Sequence, residues 1–166
     1  MKNSVTRLTL LALCAWPITS MARVWVGADV GLTGGALAGT SPAGVYGGIS
    51  TRSFPVGIEL GYQALSANPT KVGIFSVTGL YRTRIPRVRG LHFLARAGVA
   101  HIYSSNGAFV VNSTRPIIGA GVSYRVSRPL SLRAEYDLIL NARTAYGPSQ
   151  NGDELMVGAT YHFAVR

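Results

Sequence analysis

Apolar and non-apolar residues alternate with a period of two in segment after segment of this chain. In Val56 to Tyr62, V-G-I-E-L-G-Y, the side chains of Val56, Ile58, Leu60 and Tyr62 share one parity, and Gly57, Glu59 and Gly61 share the other. Successive side chains of a strand point to opposite faces, so one face here is wholly apolar and the other carries two glycines and a carboxylate. Eight such segments can be placed, at about 24–33, 43–52, 56–64, 72–82, 91–103, 116–126, 130–140 and 155–163. In the first, Trp25 and Asp29 oppose the apolar parity. In the fifth Arg96 does so, and in the seventh Arg133, Glu135 and Asp137 oppose Leu130, Leu132, Ala134, Tyr136 and Leu138. The fourth leaves its inward parity open, because Phe75, Val77 and Tyr81 oppose Ile74, Ser76, Thr78 and Leu80.

One apolar face per strand suits either a soluble sandwich, with that face on a core, or a membrane barrel, with that face on lipid. Strand length separates them. A tilted membrane crossing takes ~9–11 residues, whereas strands of soluble sheets are more often ~5–6. The connections also alternate. Those after the even segments are short or basic (53–55, 83–90, 127–128), and those after the odd ones are mostly longer and polar (34–42, 65–70, 104–115, 141–153). Short periplasmic turns and longer external loops are the pattern of outer-membrane barrels, and an even strand number returns both termini to the periplasm. No apolar stretch approaches the ~18 residues of a membrane-spanning helix.

The amino terminus places the chain outside the cytoplasm. Lys2 and Arg7 precede an apolar run from Leu8 to Ile18, and Ser20-Met21-Ala22 offers small residues at the two positions that a signal peptidase reads. Residues 1–22 are therefore expected to be a cleaved signal peptide and 23–166 one barrel domain. Leu13 before Cys14, where a lipoprotein signal wants a small residue, speaks against lipid attachment. Cleavage removes the chain's only cysteine, so no disulfide staples the fold. The formal charge of +10 falls to +8 with the loss of Lys2 and Arg7. Nine of the fourteen remaining basic groups, among them Arg23, Arg52, Arg82, Arg84, Arg125 and Arg166, fall at the predicted periplasmic end, where anionic headgroups attract them by ~1 kcal/mol each. The basic balance is thus read as membrane placement, and no nucleic-acid partner is expected.

From Trp25 to Phe163 the chain resembles the OmpA-like transmembrane barrel family of Gram-negative outer membranes. The resemblance is carried by V-G-A-D-V-G (26–31), G-V-Y-G-G (44–48), F-P-V-G-I-E-L-G-Y-Q (54–63), A-R-A-G (95–98), P-I-I-G-A-G-V-S-Y (116–124), S-L-R-A-E-Y (131–136) and V-G-A-T-Y-H-F (157–163), in that order. It implies an eight-stranded antiparallel up-and-down transmembrane barrel surrounded by outer-membrane lipid and most simply monomeric. It also implies a lumen ion-pair cluster in which Glu59 meets Arg133, with Arg96, Glu135, Asp29 and Asp137 on the same inner face. The family's second interior glutamate is Ser123 here, its lysine partner has no clear equivalent, and Asp29 stands where the family has a basic residue. Gly158, Tyr161 and Phe163 look like the terminal-strand signal read by the barrel assembly machinery, although Ala164-Val165-Arg166 follow the aromatic residue. The chain stops three residues past the last predicted segment, so the peptidoglycan-binding domain of many relatives is expected to be missing.

The function that follows is an integral outer-membrane structural protein, with a low-conductance pore gated by the ion pair as its further possibility. An adhesin acting through its external loops is one alternative, though the loop G-G-A-L-A-G-T-S-P at 34–42 is bland. A lipid A-modifying enzyme is the other, because H-I-Y-S-S-N at 101–106 has a passing likeness to the His and Ser of lipid A deacylases. Nucleophilic catalysis needs base and hydroxyl within hydrogen-bond reach. His101 and Ser104 differ in parity, and His101 and Ser105 lie ~13 Å apart along a strand. No catalysis, cofactor or metal is expected.

Overall fold

A computed structural model of the chain describes residues 23–51, 54–67, 70–105, 110–143 and 149–164. The expected signal peptide, and Arg52 and Arg166 of the expected basic rim, lie outside them. Eight strands account for nearly all of the described chain: β1 (Arg23–Gly35), β2 (Ser41–Ser50), β3 (Val56–Ala67), β4 (Thr70–Arg84), β5 (Leu91–Ser105), β6 (Val110–Arg125), β7 (Leu130–Ala142) and β8 (Gln150–Ala164). Each pairs antiparallel with its neighbour, and β1 pairs with β8 from Arg23↔Ala164 to Gly35↔Gly152, closing the barrel. Closure satisfies the backbone polar groups that a sheet edge would leave unpaired.

Alternation sets the two faces as the sequence pattern predicts. On β3, Val56, Ile58, Leu60 and Tyr62 are exposed on the outer wall, and Gly57 and Glu59 are buried inside. The open parity of the fourth segment is settled: Ile74, Ser76, Thr78 and Leu80 of β4 point inward, and Phe75, Val77 and Tyr81 outward. Close approach explains several inward glycines. A Cβ on Gly57 would come within 2.8 Å of the Trp25 indole, and one on Gly119 would collide with the Asp137 carboxylate. Large inward side chains therefore sit beside residues that have none.

Two expectations are corrected. The strands run past the predicted segments, most of all β6, which begins at Val110 rather than Pro116, and β8, which begins at Gln150 rather than Leu155. Beyond an apolar band the outer face has no need of apolar residues, so the period-two signal fades while the hydrogen-bond ladder continues. β5 and β6 stay paired as far as Ser105↔Val110. Pro116 fits within β6 because pairing to β7 begins only at Ile117, which leaves its missing N–H on an open side. As a result the predicted contrast in loop length disappears. Connections 36–40, 68–69, 106–109 and 143–149 at one end (the loop end) match 51–55, 85–90 and 126–129 at the other, which also carries both chain ends of the barrel (the turn end).

The interior is filled in layers. Toward the loop end, Leu37 of the β1–β2 connection joins Leu65, Val72, Ile74, Ala100, Ile102, Ile117, Ile139 and Ala142 in one apolar cluster. Toward the turn end Trp25, Tyr46, Leu80 and Leu94 form a second. Charged side chains occupy the space between them. Because nothing can flow into a void left inside, Ile102→Ala should lower the unfolding free energy by ~2–5 kcal/mol, whereas Ile118→Ala on the outer wall, where acyl chains or detergent close the gap, should cost far less. Urea unfolding of the two variants reconstituted in lipid vesicles measures the difference.

Candidate functional site

Three strands bring five of the predicted lumen charges together. β3 supplies Glu59, β5 supplies Arg96, and β7 supplies Arg133, Glu135 and Asp137 at every second position, so that three charges of one strand share its inner face. All five are buried. Arg133 grips Glu59 with both terminal nitrogens, Nη1 to Oε2 at 2.6 Å and Nη2 to Oε1 at 2.8 Å. The same Nη2 reaches Glu135 Oε2 at 2.5 Å. Arg96 forms a second fork on Asp137, with Nε donating to Oδ1 at 2.7 Å and Nη2 to Oδ2, while its Nη1 lies 3.5 Å from Glu59 and 3.8 Å from Glu135. Two forks facing two carboxylates, cross-linked by Glu135, make a network rather than a lone pair.

β1 and β2 complete the surroundings. Trp25 Nε1 donates to Glu59 Oε2 at 2.8 Å, so one glutamate oxygen accepts from both an indole and a guanidinium. The Arg133 guanidinium lies 4.5 Å from the centre of the Tyr46 ring, whose hydroxyl is 2.6 Å from Thr160 Oγ1. Neither aromatic partner was marked as part of the site from sequence, although the inward parity of both was visible.

Asp29 shares the inner face but makes no ion pair within 4.0 Å among the described residues, and acts on the cluster only through its field. Its neighbours across the two ladders are Gly44 and Gly158. Glu154 is the acid that the sequence reading missed. It is fully buried and sits directly opposite Asp137 on the β7–β8 ladder. Its parity with Met156 and Gly158 would have found it had the eighth segment been carried one residue further toward the amino terminus.

The other marked residues lie elsewhere. Gly158 faces inward, and a side chain there would run into Asp29. Tyr161 and Phe163 are exposed on the outer wall, with ring centres 5.0 Å apart in an edge-to-face arrangement. His101 is exposed on the same wall with Nδ1 2.9 Å from Thr114 Oγ1, whereas Ser104 is wholly buried on the opposite face, so the two do not form a nucleophile and base. Among the described residues no group of three His, Cys, Asp or Glu side chains is placed to hold a metal ion.

No family model and no curated protein sequence matches the chain. Solved structures do. The chain is similar to the N-terminal β-barrel domain of Pseudomonas aeruginosa OprF (TM-score 0.64, 21% identity, covering 85% of this chain and 97% of that one). It is also similar to Neisserial surface protein A, NspA (TM-score 0.62, 16% identity, 86% and 97%), and to Ail, the attachment invasion locus protein of Yersinia pestis (TM-score 0.57, 12% identity, 87% and 99%). The fold is that of the small outer-membrane barrels. Proteins of differing roles share it, so the fold alone does not choose among a structural, pore-forming or adhesive role.

Stability gives the most direct test of the cluster. Removing one member of a buried pair leaves an uncompensated charge, at a cost of ~3–5 kcal/mol, whereas replacing both members with apolar residues of similar size is often close to neutral. Glu59→Leu alone should therefore lower the unfolding free energy by that amount, and Glu59→Leu with Arg133→Met should recover much of the loss. A double-mutant cycle by urea unfolding in vesicles reads the coupling.

Proposed function

We propose that this chain is an integral outer-membrane protein with a structural role, exported by residues 1–22 and seated as a monomer with both barrel termini in the periplasm. The observation that carries the reading is the outer wall, a largely apolar surface on a closed barrel whose mid-height charges, Glu59, Arg96, Arg133, Glu135 and Asp137, are turned inward. On β5 the outward Phe93 and Tyr103 stand ten residues apart, with Ala95, Ala97, Val99 and His101 between them. At ~3.3 Å per residue and a tilt of ~40° they are separated by ~25 Å along the barrel axis, the height of a lipid-facing band flanked by aromatic girdles. Lipid is the partner that such a wall requires. Tyr161 and Phe163 near the end of β8 suit recognition by the barrel assembly machinery during insertion.

In this reading the Glu59–Arg133 pair is part of a plug. An eight-stranded barrel is just wide enough for its side chains to fill it. Here an apolar layer lies on each side of the charges. Opening the pair alone would leave both layers in place. The earlier possibility of a pore gated by this pair therefore needs two further rearrangements, of the Leu37–Ile102 layer and of the Trp25–Leu94 layer.

Two measurements test the proposal. Unboiled protein reconstituted in lipid should migrate differently from boiled protein on SDS gels and should float with vesicles in a density gradient; a single band and recovery in the soluble fraction would end the membrane reading. In planar bilayers the wild type and Glu59→Ala should be equally silent. Conductance steps that appear or grow in Glu59→Ala would establish the pair as a gate and overturn the plug.

A further inference from the structure

The turn-end mouth of the barrel holds a second constellation, which adjoins the charge cluster and is of opposite character. A cavity of about 250 Å³ opens there, and its wall carries Arg23, Arg82, Arg84 and Arg125 together with His92 and His162. Among the described residues no aspartate or glutamate lines it. Its ceiling is made by Trp25 and Leu94 of the apolar layer and by Arg133 of the lumen cluster, which is already paired with Glu59 and Glu135.

The guanidiniums of Arg23, Arg82, Arg84 and Arg125 repel one another around one small volume, and Arg133 above them adds to the repulsion. Arg82 feels the charges of Arg125, Arg133 and Arg23, and His162 those of Arg82, Arg125 and Arg23. Arg82 is central to the group. It is more than half shielded from solvent, its Nη2 makes a long 3.5 Å hydrogen bond to Ser123 Oγ, and its buried Nε has no hydrogen-bond partner among the described residues. A buried guanidinium N–H without an acceptor costs free energy unless an acceptor is supplied from outside. His92 is oriented by its Nδ1, which lies 3.2 Å from the Gly90 carbonyl oxygen and donates to it, so its other nitrogen is available to the mouth.

We propose that this mouth is a binding site for a phosphoryl group, with Arg82 as its central ligand and Arg23, Arg84, Arg125 and the two histidines around it. The planar fork of arginine matches phosphate oxygens two at a time. The volume is below the ~300 Å³ at which drug-sized sites begin, and so suits a phosphate or a small phosphate ester. The phosphoryl group has two possible sources, the headgroup of a phospholipid in the adjoining leaflet or a free phosphate compound in solution, and the chemistry of recognition is the same for both. The inference does not depend on the lumen being closed or on the membrane reading.

The experiment titrates inorganic phosphate into the folded full-length chain in a phosphate-free alkyl glycoside micelle at low salt, by calorimetry. Saturable binding is expected. Arg82→Gln should weaken it by about tenfold or more, in line with the loss of a charge-assisted fork. Arg125→Gln, at an exposed position that leaves the barrel's packing untouched, should weaken it several-fold and keeps the test decisive if Arg82→Gln does not fold. Arg143→Gln at the loop end should leave it unchanged. The titration is then repeated in phosphatidylglycerol nanodiscs. Persistence of the phosphate signal there assigns the site to a soluble phosphate, and its disappearance assigns it to the lipid headgroup; both outcomes support the site. Absence of saturable binding in the micelle, or an equal loss in Arg143→Gln, would overturn it.

Discussion

Everything inside this barrel answers to one constraint: a closed sheet of eight strands encloses a volume that its own side chains must fill. A core between two layers can relax by sliding one layer over the other, but a closed barrel has no such freedom, because its radius is set by strand number and stagger. Filling is therefore achieved by pairing large residues with none. Gly48 and Gly57 lie around the Trp25 indole, Gly119 and Gly121 beside Asp137 and Glu135, and Gly44 and Gly158 on either side of Asp29. These inward glycines follow from that geometry rather than from any need for flexible backbone.

The same constraint governs the charges. A guanidinium at mid-lumen is acceptable because its donors meet acceptors on other strands, and the network that results links β3, β5 and β7, strands that are not neighbours in the wall. Ladder hydrogen bonds hold each strand to the next one. The cluster adds bonds across the diameter, and so opposes flattening of the barrel in a way that no ladder can. That is a structural task, and it is performed whether or not any ion passes.

Much of this was legible in the sequence because lipid or a core on one face forces a strict period of two. The inward positions of Glu59, Arg96, Arg133, Glu135 and Asp137 follow from parity alone, and their charges leave few possible partners. Three features were not legible, each for a physical reason. β4 carries apolar residues on both faces, Ile74 and Leu80 inside and Phe75 and Tyr81 outside, because part of the lumen is itself apolar. The outer segments of β6 and β8 lack the alternation because their outer faces no longer need apolar residues, which left Glu154 just outside the predicted eighth segment. The cationic mouth was seen only as a rim of turn residues, since period and composition place Arg82 and Arg125 at one end of their strands without showing that β4 and β6 turn them toward a common cavity.

These two charged regions are complementary along the axis. The lumen holds five carboxylates, Asp29, Glu59, Glu135, Asp137 and Glu154, against the guanidiniums of Arg96 and Arg133 at mid-height and of Arg115 toward the loop end. The excess of acid at mid-height faces an excess of arginine at the turn-end mouth, across the layer of Trp25, Leu80 and Leu94. Charges are screened little across a low-dielectric layer, so the acids lower the positive potential that an approaching anion meets. Long-range steering is therefore a small part of what the mouth offers. An anion held there has to be held by direct hydrogen bonds, from Arg82 above all. Such a site discriminates by the number and spacing of acceptor oxygens, and a phosphoryl group satisfies that requirement where a halide of equal charge does not.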